Sequence, residues 1–173
     1  MLPSAAVPEP TDPAADLARI AHQEQQLVFP AFDEDTAWRV GSRLRGLAAG
    51  RGLAVAIEVR LHGHTVFFTA MPGTAPANAD WARRKRNAVE WLHQSSYAVG
   101  VEDAMKGRSI IEVMGLPDRD LATHGGSVPV RVTGVGVVGA VTVSGLPQRD
   151  DHELVIEVFA ELLGRSYAEL RLR

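Results

Sequence analysis

Apolar positions recur along the chain with two different periods. From Asp16 to Phe29 a helical stripe carries Leu17, Ile20, Ala21 and Leu27 and stops at Pro30, with Leu27–Phe29 alternatively a short strand. From Asp33 to Ala49 a second helix shows Ala37, Val40, Gly41, Leu44, Leu47 and Ala48 at spacings of three and four, and Gly50 and Gly52 end it. The period then falls to two. Ala54–Arg60 and Thr65–Ala70 alternate like strands, and His62-Gly63 supplies a two-residue turn. With Leu61 opposite His64, Val59 faces Val66, Ile57 faces Phe68 and Val55 faces Ala70, which makes one side of the hairpin wholly apolar.

After the Pro/Gly loop Met71–Ala77, Asn78 or Asp80 is placed to cap a long helix to about Gly100. Ile110–Met114 fits either period. Val128–Thr133 and Val137–Val143, separated by Gly134 and Gly136, form a second hairpin, with Pro129 at an edge or at the start of its strand. A last helix spans about Asp150 to Leu170, with Leu154, Val155, Val158, Phe159, Leu162 and Leu163 on one stripe, and Asp150 and Glu153 spaced as a capping box. Hairpins interleaved with helices predict an α+β fold, an antiparallel sheet of about five strands flanked by helices in a profilin-like sandwich.

Composition narrows the classes further. The chain has 173 residues, a formal net charge of −3 and no cysteine, so disulfides, thiol catalysis and Cys-ligated metals drop out. The near-neutral balance argues against a nucleic-acid partner, and no apolar run is long enough to span a membrane. Residues 1–14, rich in Pro and Ala, read as a disordered tail before a single domain over 15–173. A signal peptide's basic and apolar regions are missing, so a cytoplasmic location is expected.

Candidate chemistry begins on the long helix. Trp81, Arg84/Lys85, Ala88, Trp91/Leu92 and Ser95/Ser96 share a stripe, so two cations border two Trp rings. Either their stems snorkel along the core, or the pair is aimed at a carboxylate or phosphate of a ligand. The run Arg83–Arg86 cannot form one patch, because a helix spreads four consecutive residues around its circumference. His124-Gly125-Gly126 precedes a strand and permits close backbone approach beside an imidazole. Ser144-Gly145 leads through Asp150, Asp151 and His152 into the last helix, where capping accounts for the Asp residues and His152 is a candidate base or metal ligand. His62 and His64 lack a third ligand, so no metal site is expected, and no nucleophile motif, Walker-type loop or paired carboxylates occur.

Taken in order, Gln23-Glu24, Pro72-Gly73-Thr74, Asn78, Asp80-Trp81, Arg84-Lys85, Asn87, Ser95-Ser96-Tyr97, His124-Gly125-Gly126-Ser127, Gly136–Gly139, Val143-Ser144-Gly145-Leu146-Pro147 and Asp151-His152 resemble the haem-degrading-domain superfamily. That superfamily includes GlcG-like, HbpS-like and PduO C-terminal-domain-like proteins, and the likeness is strongest to a branch of small bacterial and fungal proteins from which no settled activity carries over. The resemblance spans residues 16–170 and implies a homo-oligomer, at least a dimer, with a small anionic ligand, haem among the candidates. It assigns the ligand site to Trp81, Arg84, Lys85, Asn87, Ser95, Ser96, His124, Gly125, Gly126, Ser144, Gly145, Asp151 and His152. It assigns no axial haem ligand; His22 and His124 are candidates by chemistry alone. Two alternatives stand beside ligand binding. One is an interaction protein whose Arg84 or Lys85 pairs with a neighbouring subunit's acid, such as Asp151; the other is an enzyme, haem-degrading or using His124 or His152 as acid–base.

Overall fold

Residues 12–173 are described by a computed structural model. Its elements are α1 (Pro13–Gln26), β1 (Val28–Phe29), α2 (Glu34–Arg51), β2 (Ala56–Leu61), β3 (His64–Ala70), α3 (Pro76–Leu92), α4 (Ser96–Lys106), α5 (Ile110–Val113), β4 (Ser127–Val132), β5 (Gly136–Ser144), α6 (Gln148–Leu162) and α7 (Tyr167–Leu170). The sheet order is β1-β4-β5-β2-β3. Every pair is antiparallel except β1 with β4, so the fold is the expected α+β class with one parallel edge. No helix is long and apolar enough to cross a membrane among the described residues. The expected tail falls mostly outside those residues, but its last two positions, Pro13 and Ala14, already open α1, capped by the Asp12 carboxylate.

Alternation divides the sheet into unlike faces. Val55, Ile57, Val59 and Leu61 share one face with Val128, Val130, Val141 and Val143, all buried against α2 and α6. Leu44, Phe159 and Phe29 fill that layer, with the Phe29 ring edge-on to both Phe32 and Phe159. Ala56, Glu58, Arg60, Ser127, Thr142 and Ser144 point the other way, toward α3. Pro129 is tolerated because β1 pairs only with Arg131 and Val132, leaving the ladder beside Pro129 open on that side.

Four expectations change. The first hairpin holds its register at the turn, Leu61 to His64, but a bulge makes Val59 face Phe67. Val66 is the extra residue, and every β3 side chain beyond it changes face, so Phe67 is buried on Gly41 while Phe68 is 49% exposed. The long helix is two: His93 takes a left-handed φ of 53° at the end of α3, and Ser95 caps α4 by accepting from the Ala98 N–H. Asn78 does not cap α3 from outside but sits one turn in, its Oδ1 accepting from the Ala75 N–H at 2.8 Å. The last helix ends at Leu162, with left-handed Gly164 separating it from α7, and neither Asp150 nor Glu153 builds the capping box, since α6 starts at Gln148 after Pro147.

Candidate functional site

Beyond the ends of β4 and β5, α3 passes over the sheet and α6 begins beneath it. Trp81 and Lys85 lie one turn apart on α3, so both reach this opening. Lys85 is 4% exposed; its Nζ donates to Asp151 Oδ2 at 2.8 Å and to the Val143 carbonyl at 3.4 Å. The Asp151 carboxylate, fully buried, also accepts from the N–H groups of Leu146 (3.0 Å) and Gly145 (3.3 Å). Burial pushes the Asp151 carboxyl up, against the Lys85 ammonium and the two amide donors, which pull it down. The expected pairing of Lys85 with Asp151 is therefore present, but within one chain rather than across subunits.

Glycine makes this ion pair possible. Gly126 has φ +129°, and a Cβ there would lie 2.3 Å from the Val143 carbonyl oxygen, 2.9 Å from Asp151 Cβ and 3.0 Å from Lys85 Nζ. The bridge occupies the space that any other residue would fill.

Above the pair lies a cleft of about 290 Å³. Trp81, Lys85, His124, Ser144, Gly145 and Asp151, six of the expected site residues, line it together with Asn78, Leu146 and Gln148. The His124 ring stands edge-on to Trp81, centroids 5.0 Å apart. Burial, and then the Lys85 and Arg84 charges, lower its pKa, so the imidazole is neutral at pH 7. Asn78, Leu146 and Gln148 lie outside the expected set, although helical spacing carried a signal for two of them: Asn78 precedes Trp81 by three residues on α3, and Gln148 precedes Asp151 by three on α6.

The remaining expected residues do other work. Arg84 stacks its guanidinium 4.4 Å from the Trp81 centroid and donates to the Asp118 carbonyl at 2.9 Å, while its Nε is buried without a partner. Asn87 donates to the Asp120 carbonyl at 2.8 Å, and Arg83 bonds the Asp120 carboxylate and the Arg119 carbonyl, each at 3.0 Å. These side chains strap residues 118–121 to α3 and so hold His124 over Trp81. Ser96 Oγ accepts from the Ser127 N–H at 3.1 Å, tying α4 to β4. Gly125 lets the chain approach the Gln148 carbonyl, 2.3 Å from where its Cβ would stand.

His152 is turned away from the cleft. One helical step past Asp151 rotates it about 100°, where it is fully buried and its Nε2 meets Gln23 Oε1 at 2.8 Å. Burial and the nearby Arg149 lower its pKa to about 3, so the ring is a neutral core group and not the base expected from its neighbours. Trp91 is 60% exposed and His22 is exposed; neither lines the cleft.

The lining of this cleft is a poor fit for haem. Only Trp81 and Leu146 offer broad apolar surface. Of the two cations expected for propionates, only Lys85 lines the cleft, while Arg84 is held by Trp81 and the Asp118 carbonyl. Ligand pockets run from roughly 300 to 1,000 Å³, and this one, at about 290 Å³, suits a molecule much smaller than a porphyrin.

Comparison with known proteins gives the lineage. A UPF0303 protein of Acidobacterium capsulatum is 53% identical over 159 residues, 92% of this chain and 96% of its own length. The crystal structure of Ybr137w superposes with a TM-score of 0.78 at 23% identity, covering 93% of this chain and 90% of that one. A PduOC:heme complex superposes with a TM-score of 0.63 at 16% identity, covering 77% and 94%; at such identities both likenesses show the fold alone. The sequence model described as "haem degrading protein HbpS-like" matches residues 32–160, and with the UPF0303 likeness along nearly the whole chain, this protein belongs to the HbpS-like family.

Proposed function

We propose that this protein binds a small carboxylate-bearing molecule in the cleft between α3 and the start of α6. The observation that carries the reading is Lys85, a cation buried to 4% exposure that nonetheless lines an open cleft. An ammonium has three donors; Asp151 and the Val143 carbonyl take two, leaving one for a ligand. Trp81 and the neutral His124 ring supply a flat wall, and His124 can donate or accept at pH 7. Asp151 fixes the ammonium in place, so a ligand anion meets a preorganised donor.

Self-association belongs to the same reading. Trp38 and Trp91 are 63% and 60% exposed, Phe68 faces outward, and β3 ends the sheet with an open edge. Sedimentation velocity is expected to show a homo-oligomer, and a monomer at micromolar concentration would remove this element.

Isothermal titration with hexanoate tests the ligand site. Saturable binding to the wild type, lost in the Lys85→Met/Asp151→Asn double variant, is the expected result; equal heats from both proteins would overturn it. Haemin is the contrasting probe. A stoichiometric Soret shift abolished by His124→Ala would replace the small ligand with haem.

A further inference from the structure

We infer that the ligand is a hydroxy-carboxylate whose hydroxyl end is held in a second cleft beyond His124 and Gln148, an inference that rests on the carboxylate reading above. This second cleft, about 360 Å³, opens between α1 and α4, and His124 and Gln148 line both clefts. They form the ridge between two adjoining spaces.

The polarity of the second space is opposite to that of the first. Asp16, 3% exposed, lines it beside Tyr97. The Tyr97 hydroxyl donates to Asp16 Oδ2 at 3.0 Å, and Arg149 Nη1 donates to the same oxygen at 3.0 Å. Both bonds found among the described residues use Oδ2, which leaves Oδ1 as an acceptor. Burial and the Asp16 charge push the Tyr97 pKa up to about 12, so the phenol keeps its proton and can also accept.

Charge selects the donor. Arg149 neutralises Asp16, so an ammonium entering this cleft would meet a cation close behind the carboxylate, whereas a neutral hydroxyl would not. On the ridge, Gln148 Oε1 accepts from the Gly125 N–H at 3.2 Å, which leaves its amide donors for oxygens along the ligand chain. The sequence across the two clefts is thus a cation at Lys85, neutral donors at Gln148 and His124, and an acceptor pair at Asp16 and Tyr97. A molecule with a carboxylate at one end and hydroxyl groups toward the other matches that order.

The test is a calorimetric series of ω-hydroxy carboxylates of four, six and eight carbons. Each is compared with its unsubstituted parent and its ω-amino analogue. At one chain length the hydroxy acid should bind about tenfold more tightly than its parent, the worth of one hydrogen bond to a charged acceptor, and the amino acid should show no such gain. Ala104→Phe, on the exposed wall of the second cleft, should erase the gain; affinity for the parent carboxylate, read in the same protein, reports that the fold and the first cleft are intact. Absence of any gain above about twofold, at every length, overturns the inference while the carboxylate reading stands. A gain for the amino acids instead overturns the charge argument, and failure of every carboxylate to bind brings down both readings.

Discussion

On one face of the sheet Val55, Ile57, Val59 and Leu61 meet Val40, Leu44 and Phe159; on the other, Glu58 meets Arg86 at 2.8 Å and Arg60 meets Glu90 at 2.6 Å. The first face gains by removing apolar area from water, a term of roughly 25 cal/mol per Å² that is indifferent to direction. The second gains little net energy, because desolvation offsets most of what a buried ion pair returns. What the second face provides is direction. Arg86 to Glu58, Glu90 to Arg60 and Lys85 to Asp151 each fix where α3 lies, and the last of these fixes a charge at the mouth of a cleft. Stability is concentrated on one side of the sheet and the geometry of the proposed ligand cleft on the other.

Substitutions should separate the two. Phe159→Ala, at a fully buried ring, is expected to cost about 3–5 kcal/mol in urea unfolding and to leave the residual folded protein competent for hexanoate. Lys85→Met, which strands the Asp151 charge, should cost a similar 3–5 kcal/mol. Adding Asp151→Asn should recover most of that stability, because the amide oxygen still accepts from Leu146 while no charge is left alone. Binding should not return. A double variant as unstable as the single one would show that the pair is structural and that the two faces are not distinct in kind.

Acid sensitivity sharpens the contrast. His152 titrates at about 3 in the folded protein and near 6.5 when unfolded, so as pH falls the unfolded chain takes up the proton first. The stability contributed by the neutral ring is complete above pH 6.5 and declines toward pH 3, by about 1.4 kcal/mol per pH unit. His152→Gln keeps a partner for Gln23 and should flatten that slope by one proton's worth, measured by urea unfolding between pH 4 and 6.5. Asp151 and Glu153, both raised by burial, bend the curve the opposite way and do so equally in both proteins. The smallest effect is expected at Arg43–Glu161, whose side chains are 43% and 47% exposed. A double-mutant cycle there should give about 0.2–1 kcal/mol.

The apolar face was legible from alternation and 3.6-residue stripes, because burial on one side imposes a period. The bulge at Val66 was not, since Val66, Phe67 and Phe68 are all apolar and period alone cannot say which one turns inward. The break at His93 was hidden for a related reason: a left-handed residue is usually glycine, and His93 pays that strain without one. Six of the expected site residues do converge, because Trp81 and Lys85 share a helical face and glycines mark the strand ends that admit them. His152 misled because neighbours in a helix point apart. The pairing of Asp16 with Tyr97 was not legible because the two lie 81 positions apart, a separation no local pattern bridges.

Lys85, His124 and Trp81 are proposed to act together as one ligand cleft. Its most direct measurement is a heteronuclear NMR titration of the wild type and of Lys85→Met/Asp151→Asn with hexanoate, following the Trp81 indole and His124 imidazole signals. Saturable shifts of both rings are expected in the wild type and none in the double variant. Rings that do not respond in the wild type, or that respond alike in both proteins, would contradict the proposal.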